Sequence, residues 1–292
     1  MFKGIFPPIA TPFVNNEVAG DKLAENLSRW NQTGLSGYVA LGSNGESVYL
    51  TRTEKLKLIE AARKHIPADK TLIVGSGSDS IRETVSLTNE AADLGANAAL
   101  ILTPSFYKGQ MKHEAFLTYF KTVADQVRIP ILIYQVPKFT GVSIEAETVA
   151  MLAEHPNIIG LKSSSEDLAY LGEVIRQTPA DFLTFVGTGS VLYAGLCLGA
   201  AGGILALANV APGECVRIQE LFEQGNHREA RELQLRLLPV NKAITAQYGV
   251  PGLKAAMDLV GYFGGEPRAP LKYPGEKELE NLKSLLRSAG LP

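Results

Sequence analysis

Asn157-Ile158-Ile159-Gly160-Leu161-Lys162 is an apolar run that ends on a lysine, and Pro130-Ile131-Leu132-Ile133-Tyr134, 28 residues earlier, is one that ends on a tyrosine. Read as buried parallel strands, the two runs carry an amine and a phenol to the same rim of one sheet, where α/β folds hold their chemistry. Similar short runs at 4–6, 37–41, 71–74, 98–102, 182–186 and 202–205 bring the total to eight. Between them lie helical patterns with charged faces, such as 52–64 opened by Thr51 and 81–94 opened by Ser80, both acceptable N-caps. Strands alternating with single helices specify a parallel sheet, and eight closing on themselves make an α/β fold of the (β/α)8 TIM-barrel kind.

About 80 residues follow the eighth run and read as helices over 213–224, 226–246, 250–259 and 276–288. A bare barrel needs one of these. The expected organisation is therefore a barrel over residues 1–211 and a C-terminal helical extension over 212–292 that packs on it.

The bulk numbers exclude several function classes. Of 292 residues, 28 are Lys or Arg and 30 are Asp or Glu, a formal net charge of −2 that offers no basic field to nucleic acid or to an anionic membrane. Residues 182–213 carry no charge, and Gly195 and Gly199 form a GxxxG pair, yet seven glycines break the stretch into strand, small-residue helix and strand, so barrel core is the better reading than a membrane span. Two cysteines, Cys197 and Cys215, are too few for a disulfide scaffold, and Cys197 in its small-residue helix reads as a packing residue. The opening Met1-Phe2-Lys3-Gly4-Ile5-Phe6 lacks a secretory pattern, and with no mitochondrial targeting segment in this chain a cytoplasmic location is expected. The partner expected is a small molecule.

Lys162 after four apolar residues is costly to bury charged; burial lowers its pKa and supplies the neutral amine that carbonyl addition requires. The plain alternative is a rim lysine snorkelling to water. Tyr134 is a candidate general acid/base, or else a rim aromatic with a satisfied hydroxyl. Gly42-Ser43-Asn44-Gly45-Glu46 offers backbone N–H groups and a hydroxyl in a tight turn suited to a carboxylate, or is an ordinary βα turn. Gly75-Ser76-Gly77-Ser78 lacks the third glycine of a dinucleotide fingerprint and the Lys-Ser/Thr of a P-loop. The four histidines, His65, His113, His155 and His227, are scattered, and no metal or cofactor is expected.

Taken together, Gly42-Ser43-Asn44-Gly45-Glu46, Tyr134-Gln135-Val136-Pro137 with Thr140-Gly141, Gly160-Leu161-Lys162-Ser163-Ser164 and Ala206-Leu207-Ala208-Asn209-Val210 resemble the class I, pyruvate-dependent lyases of the dihydrodipicolinate synthase and N-acetylneuraminate lyase family. The resemblance implies a Schiff base between Lys162 and pyruvate, a proton shuttle at Tyr134, and a pyruvate-carboxylate site at Ser43 and Asn44. It also implies a homotetramer.

Within that family, lysine-pathway synthases carry Thr-Thr at the Ser43-Asn44 pair and an arginine at Phe139, where a phenyl ring cannot clamp a carboxylate. Ser43-Asn44, Ser105-Phe106-Tyr107, Ser164 and the segments 249–254 and 261–271 look most like a 4-hydroxy-2-oxoglutarate aldolase. The expected reaction is cleavage of a 4-hydroxy-2-oxo acid to pyruvate and an aldehyde, glyoxylate if the acid is 4-hydroxy-2-oxoglutarate. Tyr107, Ser164, Gly187 and Ile204 are the further candidates for substrate contact. The alternatives are a 2-keto-3-deoxy sugar acid as substrate, 4-hydroxy-tetrahydrodipicolinate synthesis, and a barrel that binds a keto acid without turnover.

Overall fold

The computed structural model describes residues 2–292. Eight parallel strands pair in chain order: β1 (Gly4–Phe6), β2 (Gly37–Ala40), β3 (Thr71–Gly75), β4 (Ala98–Leu102), β5 (Ile131–Gln135), β6 (Ile158–Ser163), β7 (Leu183–Val186) and β8 (Gly202–Ile204). β8 returns to pair with β1, while β1 and β2 meet through a parallel bridge between Pro8 and Val39, with Ile9 N–H donating to the Val39 carbonyl at 3.0 Å. The sheet thus closes into a (β/α)8 barrel, as the eight apolar runs predict.

Period-2 alternation decides which side chains face where. On β5, Leu132 and Tyr134 join the interior cluster with Phe6, Val39, Ile73, Phe185 and Ile204, whereas Ile131 and Ile133 pack outward against helices. Phe6 and Phe185 meet edge to face inside the barrel, centroids 5.8 Å apart. The interior is a packed core, which leaves the rims as the places where a small molecule can bind.

The surrounding helices are α1 (Gly20–Trp30), α2 (Arg52–His65), α3 (Ile81–Asp93), α4 (His113–Gln126), α5 (Ala146–Ala153), α6 (Leu168–Gln177), α7 (Leu192–Leu198) and α8 (Pro212–Glu223). Thr51 caps α2 in a capping box with Glu54, and Ser80 accepts from Glu83 N–H at the start of α3. The uncharged stretch resolves into β7, α7, β8 and a turn, and among the described residues no helix is long and apolar enough to cross a membrane. Cys197, read from sequence as a packing residue, stands exposed on α7, because its helix turns that face to solvent; Cys215 is buried and both are free.

Beyond α8 come α9 (His227–Lys242), a π turn (Ala243–Gln247), α10 (Gly249–Leu259) and α11 (Glu276–Ser288). The pattern at 226–246 predicts one continuous helix, but the hydrogen bonding widens after Lys242, so the chain turns there and the Ala243–Gln247 segment faces the C-terminal rim of the barrel. A short hairpin, Phe13–Val14 with Glu17–Val18, is also absent from the sequence reading because two-residue strands carry no periodic signal.

Candidate active site

Register delivers the lysine. Lys162 is paired across the sheet with Tyr134 on one side and Phe185 on the other, and its Nζ lies 4.2 Å from the centroid of the Tyr134 ring. Gly160, two residues back on the same face, leaves space for no side chain: a Cβ there would sit 2.2 Å from the Leu183 carbonyl and 2.8 Å from Leu132. Lys162 is 3% exposed, and that burial pushes its pKa below the ordinary lysine value, with the Tyr134 phenol opposing the shift. The side chain is therefore packed and dry, not snorkelling.

Tyr134, itself buried, places its hydroxyl 3.2 Å from Ser43 Oγ. Ser43 opens a single 3₁₀ turn, Ser43–Gly45, after β2, and the first N–H groups of such a turn, those of Ser43 and Asn44, have no partner within it. Gly45 fits because a Cβ would stand 3.0 Å from the Ile9 carbonyl, and Glu46 closes the turn in the left-handed region at φ 54°. Lys162, Tyr134, Ser43 and Asn44 thus line one volume.

That volume is a cavity of about 400 Å³ at the C-terminal rim, lined by Ser43, Asn44, Tyr134, Lys162, Ser164 and Gly187, by Val136, Thr188, Ala206, Gly249 and Val250 from rim segments and motifs visible in the sequence, and by Glu166, Ile244 and Thr245, which the sequence did not single out. Lys138 and Phe139 line its outer edge, where Lys138 Nζ donates to the Thr245 carbonyl at 3.3 Å. Gly187 is dictated by closeness, since a Cβ on it would meet Ser164 Oγ at 2.1 Å. Tyr107 and Ile204 do not line this cavity: Tyr107 is exposed in the loop after β4, edge-on to Phe106, and Ile204 is buried among the barrel-core residues. The Gly75-Ser76-Gly77-Ser78 turn borders a second space of about 150 Å³ that shares Ser43 and Tyr134 with the first. Among the described residues no group of three or more His, Cys, Asp or Glu side chains is arranged to hold a metal.

A lysine buried beside a tyrosine at the carboxyl end of a parallel barrel defines a class I aldolase site, in which the amine forms an imine with a keto acid and the phenol moves protons. The chain belongs to the dihydrodipicolinate synthetase family, whose model matches residues 1–289. It is 36% identical over 292 residues to a 4-hydroxy-tetrahydrodipicolinate synthase of Methanopyrus kandleri, covering 99% of this chain and 97% of that one. Two crystal structures are similar over the whole of this chain and of their own: a dihydrodipicolinate synthase at 34% identity and TM-score 0.94, and a prophage protein of E. coli K12 in complex with pyruvate at 27% identity and TM-score 0.94. The chain is accordingly a carbon–carbon lyase of the class I aldolase type, working through a lysine imine of its keto-acid substrate. Relatives at 34–36% identity carry the synthase name and not that of the 4-hydroxy-2-oxoglutarate aldolase that the Ser43-Asn44 and Ser164 pattern resembles.

Proposed function

We propose that the enzyme cleaves, and in reverse forms, a 4-hydroxy-2-oxo acid, with 4-hydroxy-2-oxoglutarate giving pyruvate and glyoxylate. The observation that carries this reading is the dry Lys162 amine packed on Tyr134, with Ser43 3.2 Å from the phenol oxygen. Lys162 adds to the C2 ketone, and Tyr134 protonates the departing hydroxyl, which leaves as water to give an iminium and a phenolate. The phenolate, alone or through Ser43, then takes the C4 hydroxyl proton as the C3–C4 bond breaks. The bonding pair flows into the iminium and leaves an enamine. Tyr134 returns that proton to C3, and water hydrolyses the resulting iminium to pyruvate, restoring the amine while the proton released goes back to the Tyr134 phenolate. Asn44 and the turn N–H groups hold the C1 carboxylate, and Ser164 meets the distal half.

A distal carboxylate wants a cation, and Phe139 supplies none. Lys138, at the cavity edge with its Nζ 3.3 Å from the Thr245 carbonyl and 5.9 Å from the centroid of the Phe139 ring, is the group we assign to it. A second reading, 4-hydroxy-tetrahydrodipicolinate synthesis, is favoured by the synthase name of the curated relatives. Purified enzyme supplied separately with 4-hydroxy-2-oxoglutarate, a 2-keto-3-deoxy sugar acid, and pyruvate plus an amino-acid semialdehyde separates these readings. Release of pyruvate and glyoxylate fastest from the first supports the proposal; condensation in the third with none in the first replaces it with the synthase reading. The homotetramer implied by resemblance belongs to the same proposal, supported by the exposure of Val48, Phe106 and Tyr107 and checked by light scattering.

A further inference from the structure

Directly behind the Ser43–Gly45 turn lies an ion pair with no contact with solvent. Lys254 on α10 and Glu46 have side chains 0% and 1% exposed, and Lys254 Nζ donates to Glu46 Oε1 at 2.8 Å across 208 residues of sequence. The same ammonium donates to the carbonyls of Thr11 and Glu266, each at 2.9 Å, and the second carboxylate oxygen of Glu46 accepts from the Arg268 backbone N–H at 2.8 Å. Thr11 completes the loop by donating its hydroxyl to the Gly45 carbonyl at 2.6 Å. Each charge is fully partnered. A buried pair of this kind gains little net stability over an apolar filling, because desolvation offsets most of the attraction. What it does is fix geometry: Glu46 is a left-handed non-glycine residue, a conformation that costs roughly 1–2 kcal/mol and needs to be held.

We infer that Glu46 and Lys254 are positioning residues for the keto-acid carboxylate: the pair pins the end of the turn so that the N–H groups of Ser43 and Asn44 aim into the cavity. The C-terminal extension is then part of the substrate site as well as a cover for the barrel. This rests on the reading that the turn binds the pyruvate carboxylate. The pair touches no reacting atom, so its loss weakens capture of the keto acid more than it slows the chemistry of captured substrate.

The test is the pyruvate concentration that half-saturates borohydride trapping at Lys162, measured with Glu46→Gln, Lys254→Met and the double variant, alongside thermal melting. Each single variant is expected to raise it about tenfold while trapping at saturating pyruvate still goes to completion. The double variant carries no unpaired buried charge and melts closest to the parent, yet keeps the weakened capture, since a neutral pair does not restore the aim of the turn. Unchanged half-saturation in a folded variant overturns the inference. So does failure of all three to fold, which would make the pair cement for the fold alone. Ser43→Pro, which removes one of those N–H groups at the first position of the turn after an already extended Gly42, separates the two claims with Ser43→Ala as its control: half-saturation equal in the two sinks the carboxylate assignment itself, whereas weaker capture in Ser43→Pro than in Ser43→Ala with normal capture in Glu46→Gln sinks only the positioning role.

Discussion

The two halves of the site are held by different means. Lys162 and Tyr134 stand on adjacent strands in fixed register, so backbone pairing alone places the amine over the phenol ring. Ser43 and Asn44 stand in a turn whose shape depends on side chains from distant segments: Thr11, Lys254 and the backbone of Arg268. On the proposed reading, chemistry falls to side chains set by strand register and recognition to a turn held by tertiary contacts. The reaction step should therefore respond to substitutions on the strands, and substrate affinity to substitutions in the turn and its supports.

Lys162→Ala removes the proposed nucleophile, and turnover should fall by about 10³-fold or more with the melting temperature kept, as read by pyruvate release and calorimetry. Tyr134→Phe keeps the ring that packs on the lysine and removes the proposed proton carrier. Its kcat should fall about 10²-fold with imine still trappable, and an unchanged kcat would transfer the shuttle to another group. Gly187→Ala drives a methyl into Ser164 and toward the Ser163 carbonyl, 2.9 Å away; KM for the full substrate should rise about tenfold while pyruvate trapping changes little.

The pH dependence follows from the burial of Lys162. Its folded pKa lies below the unfolded one, so the reactive neutral fraction rises as pH climbs through that lowered value, and folding stability also rises with pH between the two. The rate of imine trapping against pH should show its midpoint below that of a free lysine side chain. The smallest effect belongs to Glu54, whose carboxyl is held down to about 2 by Arg268 first and then by the Thr51 cap. Its depressed pKa contributes stability that is present above the ordinary value of 4.5 and is lost as pH falls toward 2. Glu54→Gln should cost about 1 kcal/mol near neutrality and flatten that acid limb in denaturant titrations.

How much of this was legible in the sequence divides along the same line. The eight strands were readable because short apolar runs separated by capped helices have few other solutions, and Lys162 and Tyr134 were readable because each closes such a run. The turn after β2 was visible as Gly-rich, but what pins it was not. Lys254 sits in an otherwise apolar helix segment and Glu46 ends the turn, and nothing short of tertiary packing brings residues 208 apart into one pair. A lysine inside a run as apolar as 252–257 was the available signal. Thr245 and Val250 enter the cavity because the helix pattern breaks into a π turn, a local change in hydrogen bonding that composition does not announce. Tyr107 was placed by resemblance, and within a single chain it stands in solvent away from Lys162.

Whether Lys162 is the covalent nucleophile is decided by intact-protein mass after pyruvate and borohydride, followed by peptide mapping, because hydride traps an imine irreversibly. One reduced pyruvate-derived adduct per chain is expected, on the peptide containing Lys162, and none in Lys162→Ala. No adduct with folded protein and active reductant, or an adduct on Lys138 or Lys254 instead, would contradict it.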